Sequence, residues 1–305
     1  MKINKINNEQ ALLIGDSQLV KVREFMNGAE IRLTHGGYSP KIKKISADEY
    51  MVLETGEIKE FEKIQNRSEC KESVRKTLKE LRYLINANFG GLDNEFFITL
   101  TYRENMTDPK KLYTDFDKWK KKMIYNYGKF EYINVVEPQE RGAWHCHVLC
   151  KFKYGTRLDY NKVRELWGHG SFVNVRHLND VTNVGAYLSA YLGDIELNEV
   201  TESDWVCEHG TLDGMEVMTK VVDGVEKKFI KGGRLKYYPR GMNIYRKSRG
   251  IKKPTEYVMT KGEFEQNKKK IHPDMEQTFT QVIQLSDDTG NIVKTYKYEN
   301  YQYAR

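Results

Sequence analysis

His145 and His147 flank one residue, Cys146, and run straight into the apolar stretch Val148-Leu149-Cys150. In an extended strand, residues two apart point to the same face, so the two imidazoles project side by side. Burying two titratable rings together without partners is costly, and a divalent cation is a partner that imidazoles suit. Glu137 lies eight residues before His145, across the polar turn Pro138–Gly142. If the flanking strands pair so that 137 faces 145, then 135 faces 147, and Glu137, His145 and His147 share one sheet face. A mixed carboxylate–imidazole set with open positions suits Mg²⁺ or Mn²⁺ held partly by a substrate phosphate, with Mn²⁺ favoured by the imidazoles. Zn²⁺ or Fe²⁺ is a chemically sound rival. Gln139 and Glu140 fall within the turn and are weaker third ligands.

Tyr187 and Tyr191 stand four apart on a predicted helix, which places both rings on one face. An isolated pair of this kind is more often core packing. A phenol, with a pKa of about 10, is also a weak nucleophile. Beside a metal that polarises a phosphodiester, however, a phenolate can displace a 3′-oxygen and leave a covalent phosphotyrosine.

The elements that must position these groups are legible in the pattern. Phe96 to Tyr102 is β-branched, aromatic and apolar, as a central strand requires. Asp108-Pro109 is an N-cap followed by proline at the first helical position. The helix it opens carries Leu112, Phe116, Trp119, Met123 and Tyr127 on one face and closes at Gly128. Strands over 132–137 and 144–152 follow, then a short helix from Asp159 to Gly168, a strand over 171–176 and the tyrosine helix from Asp180 or Thr182. The order β-α-β-β-α-β-α begins with the split βαβ, ferredoxin-like arrangement, an α+β fold with an antiparallel central sheet. In that topology the first and third strands are central, which sets the His-x-His strand mid-sheet.

Around this core the sequence predicts a β-rich N-terminal appendage (1–66), a central domain (67–195) opened by a helix over 68–88, and a C-terminal extension (196–305). That helix carries Val74, Leu78, Leu81 and Ile85 on one face and basic residues on the rest. Positions 194–216 hold eight acids and no Lys or Arg. Positions 231–254 hold nine Lys/Arg and no acid, interleaved with Tyr237, Tyr238 and Tyr245. A hairpin is expected at 215–231 around Asp223-Gly224, and another across the last 30 residues around 288–290.

The chain has 305 residues, a net charge of +7, 20 Tyr, 12 Phe and 4 Trp. A basic, aromatic-rich composition is that of a nucleic-acid-binding candidate and equally of a mildly basic soluble protein. Four cysteines without paired spacing (Cys70, Cys146, Cys150, Cys207) fit a reduced, cytoplasmic setting. No apolar run reaches membrane-span length, no signal segment is evident, and no phosphate-binding Walker loop is present, which argues against NTPase activity. The uncompensated cations of 231–254 point to DNA: Arg234, Lys236, Tyr237, Arg240, Arg246 and Arg249. Arg141 and Trp144, at the entrance to the metal strand, are further contacts, with strand-end core packing an equal reading for Trp144.

The strand 97–102, the segment Glu137…Arg141-Gly142-Ala143-Trp144-His145-Cys146-His147 and Val184-Gly185-Ala186-Tyr187-Leu188-Ser189-Ala190-Tyr191 resemble the three ordered motifs of HUH endonucleases. They are most similar to rolling-circle replication initiators of bacterial plasmids and phages, of the two-tyrosine type. The resemblance covers residues 70–195 well and 231–254 loosely. It implies metal-dependent nicking of one DNA strand at an origin, a 5′-phosphotyrosine with a free 3′-OH for priming, and rejoining by the second tyrosine. Tyr187 would act first and Tyr191 second. The partners implied are single-stranded origin DNA and a host helicase and polymerase. The family commonly carries a Lys three residues after the first tyrosine; here that position is Ala190, and Asp194 follows Tyr191 at the same spacing. A relaxase or single-strand transposase shares the chemistry, a metal hydrolase would release free product, and a catalytically silent nucleic-acid-binding module is the reading from another class.

Overall fold

The computed structural model describes residues 2–7, 13–36, 40–46, 48–61, 71–139, 142–170, 172–178, 195–196, 217–222, 225–230, 233–239, 241–287 and 289–303. The fold is α+β, and the chain divides into two compact units: Met1–Lys63 with Pro254–Arg305, and Ile64–Lys253.

The first unit begins with β1 (Lys2–Asn7), β2 (Leu19–Phe25) and β3 (Gly28–His35). A small meander follows, made of β4 (Ile42–Lys44), β5 (Glu49–Val52) and β6 (Ile58–Glu60).

The second unit opens with α1 (Lys71–Asn88), whose Val74, Leu81, Leu84 and Ile85 are buried. β7 (Glu95–Leu100) then leads to α2 (Pro109–Tyr127). The Asp108 side chain accepts from Lys110 N at 2.8 Å, and Pro109 costs no hydrogen bond at the helix start. Leu112, Phe116, Trp119 and Met123 are buried along one stripe. β8 (Glu131–Pro138) and β9 (Trp144–Lys151) form a hairpin; α3 (Tyr160–Trp167), capped by Asp159 and Gly168, and β10 (Val173–His177) follow. The sheet order is β10-β7-β9-β8, so the first and third strands are central as the split βαβ order requires. Phe116 meets Tyr132 edge-on at 5.4 Å between centroids. Tyr132 alternates with Glu137 along β8, so α2 covers the face opposite the histidines.

β11 (Ile195–Glu196), β12 (Val217–Val222) and β13 (Val225–Ile230) make a separate three-stranded sheet, in which Val222 pairs with Val225. Next come the 3₁₀ turn Gly233–Tyr237 and β14 (Tyr245–Lys247), which pairs with β8 through Tyr245 and Val135. The basic stretch 231–254, expected in a separate extension, therefore completes the central sheet. Its backbone closes the open hydrogen-bonding edge of β8.

The chain then returns to the first unit with β15 (Glu256–Thr260), α4 (Lys261–Ile271), β16 (Met275–Ser286) and β17 (Ile292–Tyr303). The expected terminal hairpin is present, and it joins a six-stranded sheet in the order β1-β16-β17-β3-β2-β15. The observed division thus differs from the expected three parts because β16 and β17 pair with strands from the N-terminus. Thr260 and Glu263 form a reciprocal capping box at the start of α4. Val20, Val22, Ile31, Leu33, Phe264 and Tyr301 form this unit's core. Beside it, Tyr301 donates to Glu299 at 2.7 Å and to Glu265 at 2.9 Å, and Lys261 lies 2.8 Å from Glu299.

Candidate active site

The site is built on the turn between β8 and β9. Gln139 N donates to Ala143 O at 2.7 Å and Gly142 N to Gln139 O at 2.9 Å. Gly142 sits at φ +81, a left-handed conformation that any side chain would strain. The closed turn sets the register: Glu137 lies opposite His145 and Val135 opposite His147. Across the other edge of β9, His147 lies opposite Thr99 of β7. Glu137, His145, His147 and Thr99 consequently share one face of the sheet.

His147 Nε2 lies 2.5 Å from Glu137 Oε2, a charge-assisted contact at the short end of its range. The opposite ring nitrogen, Nδ1, is 3.2 Å from Thr99 Oγ1. Phe97 stacks on the same imidazole, with centroids 5.6 Å apart and planes 13° from parallel. His147 is thereby fixed on three sides. The His145 ring is 6.4 Å away at 72° and is less buried. Arg234 Nη1 reaches 2.7 Å from Glu137 Oε1 and donates to Pro138 O at 2.8 Å. Glu137, His147 and Arg234 are 8%, 8% and 3% exposed. Burial opposes ionisation of the Glu137 carboxyl, but His147, Arg234 and His145 outweigh it and hold the group below its ordinary value.

The donor set fits a divalent cation in chemistry and in placement. Two imidazoles and a carboxylate occupy one face, and the Thr99 contact at Nδ1 leaves Nε2 as the nitrogen aimed at the carboxylate. The donors do not converge on one point, however: among the described residues no three His, Cys, Asp or Glu side chains do so. A cation here would have to open the His147–Glu137 contact and draw the His145 ring inward.

Other expected site residues fall elsewhere. Trp144 is 2% exposed; its indole N–H donates to Thr107 O at 2.9 Å and its ring packs 5.6 Å from Tyr238. Base stacking by Trp144 is therefore replaced by core packing, because even strand positions face α2. Arg234 is likewise withdrawn from a DNA-facing role by burial against Glu137. Arg246 is 3.3 Å from Asp117 and lies 5.1 Å from the Tyr113 ring centroid. Arg249 is exposed and Tyr237 half-buried. Lys236 lies in the 3₁₀ turn with its side chain outside the description. Tyr187, Tyr191, Arg141 and Arg240 lie outside the described residues. Sequence reasoning missed Thr99 and Phe97 as supports for His147, although pairing 99 with 147 would have found Thr99. Among the described residues no helix is long and apolar enough to cross a membrane.

Residues 95–196 match the family model of the replication-associated protein ORF2. The Phasyl DNA replicon protein arp of Escherichia coli is 34% identical over 71 residues, covering 23% of this chain. The match spans 25% of that relative's length. Both similarities support a replication-initiator family, and the matched segment contains β7 to β10 and the Glu137–His147 pair.

Proposed function

We propose that the central unit nicks and rejoins one DNA strand at a replication origin. The observation that carries the reading is the Glu137–His147 pair beside His145 on one face of the sheet, inside the segment similar to replication-associated proteins. Glu137, His145 and His147 would hold Mn²⁺ or Mg²⁺, which when bound polarises the scissile phosphodiester and offsets its developing charge. Thr99 and Phe97 fix the plane of His147, and Arg234 fixes the Glu137 carboxylate. The Tyr187 oxygen attacks phosphorus, the P–O3′ bond breaks, the phenol gives up its proton and the 3′-oxygen gains one. The products are a 5′-phosphotyrosine and a 3′-OH that primes synthesis. Tyr191 repeats the step, and because each exchange trades one phosphodiester for another, rejoining needs no nucleotide hydrolysis. A host helicase and polymerase would then extend the primer.

The test reads the ends of the cut strand. Single-stranded origin DNA is incubated with the protein and Mn²⁺, and the products are digested with proteinase. One fragment should be extendable by a polymerase, and the other should carry a 5′ end blocked to kinase even after phosphatase treatment. Free 5′-phosphate on all of the downstream product would identify a metal hydrolase instead.

A further inference from the structure

The six-stranded sheet of the terminal unit has two unlike faces. One packs against α4 and carries Val22, Ile31 and Tyr301. On the other, the register aligns two rows across the strands. The first runs Lys5, Ile283, Tyr296, Thr34, and the second runs Tyr298, Arg32, Lys21, Val258. Tyr296 and Tyr298 are half-exposed with ring centroids 6.2 Å apart, and Val258 at the row's end is 62% exposed. Lys294 Nζ lies 5.2 Å and the Arg32 guanidinium 5.8 Å from the Tyr296 ring centroid. The carboxylates of Glu30 and Glu256 on this face both bind Arg23, at 2.8 and 2.5 Å. Lys5, Arg32 and Lys294 are left as excess positive charge around the two rings.

We infer that this face binds an unpaired polynucleotide strand, with bases stacking on Tyr296 and Tyr298 and phosphates drawn to Lys294, Arg32 and Lys5. Every base offers a flat π-face, and an antiparallel sheet presents its rings broadside to a strand laid across it. A duplex keeps its base faces stacked and could use only the cations. A second copy of the chain would bring the same cations against themselves, and an acidic peptide would leave the two rings without planar partners. The inference does not depend on the nicking chemistry of the other unit.

The test uses the full chain and a fluorescein-labelled oligothymidylate. An oligonucleotide carrying 5-iododeoxyuridine should crosslink in light to the peptide containing Tyr296 and Tyr298, located by mass spectrometry. The double variant Tyr296→Ala/Tyr298→Ala should weaken binding by about tenfold or more. Lys294→Glu, a milder surface change, should reduce the slope of log affinity against log salt by about 1. A duplex of matching length should compete poorly. Crosslinks confined to other peptides would overturn the assignment, as would unchanged affinity in both variants. A concentration-dependent dimer abolished by the tyrosine substitutions would instead give the face to a second copy.

Discussion

Arg234 Nη1 lies 2.7 Å from Glu137 Oε1, although the arginine belongs to a basic stretch remote in sequence from the carboxylate. The guanidinium bridges that carboxylate and Pro138 O, so it ties the end of β8 to the 3₁₀ turn. Arg234→Gln leaves a buried carboxylate short of a cation and should cost about 3 kcal/mol in urea denaturation. Adding Glu137→Gln should recover part of the loss, since the uncompensated charge then disappears. A loss below about 0.5 kcal/mol would show that the pair does not hold this end of the sheet.

Thr99 should matter through His147. Thr99→Val removes the Oγ1 contact at Nδ1 while keeping the strand's shape and burial. Supporting contacts of this kind are worth about 10–100-fold in metal affinity. Calorimetric titration with Mn²⁺ should show a fall of that size with the fold intact. An unchanged affinity would remove His147 from the ligand set.

Trp144 should be a stability residue. Trp144→Phe leaves Thr107 O without its donor, at a cost of about 1–3 kcal/mol. Once allowance is made for the folded fraction, DNA affinity by anisotropy should be unaltered. A clear drop in affinity of the folded protein would return Trp144 to the DNA contacts.

These three residues mark where the sequence was informative and where it was not. Strand alternation together with a short turn made the pairing of Glu137 with His145 readable, because slipping one position would have sent the imidazoles to the opposite face. Asp108, Pro109 and Gly128 marked α2 through local chemistry alone. Arg234 was not readable: its partner lies far away in sequence, and nine cations without a neighbouring acid read as a phosphate-binding stretch. Trp144 was equally balanced until α2 was seen to occupy its face. α4 escaped notice because Gly262 and the Lys268–Lys270 run leave it one buried apolar side chain, Phe264, although its capping box at Thr260 and Glu263 was a usable signal.

Acid should destabilise the terminal unit through Glu265. Burial opposes ionisation of this carboxyl, but Lys261, Tyr301 and Lys268 outweigh it and hold the group below its ordinary value of 4.5. A depressed carboxyl contributes stability that is fully present above the unfolded value and is lost as pH falls through the folded one. Glu265→Gln should therefore be less stable than the unaltered protein near neutrality, and the difference should shrink below about pH 4.5. Urea midpoints at several pH values check this. A difference independent of pH would mean that the carboxylate's charge contributes nothing.

The most direct measurement of the central claim is the covalent bond itself. Single-stranded origin DNA labelled at its 3′ end is incubated with Mn²⁺ and the protein, denatured, and resolved by size, and the labelled peptide is then sequenced. The account predicts label on the protein at Tyr187 or Tyr191, abolished by His147→Ala and by the double Tyr187→Phe/Tyr191→Phe change. An adduct that persists in the double tyrosine variant, or cleavage with no adduct at all, would contradict it.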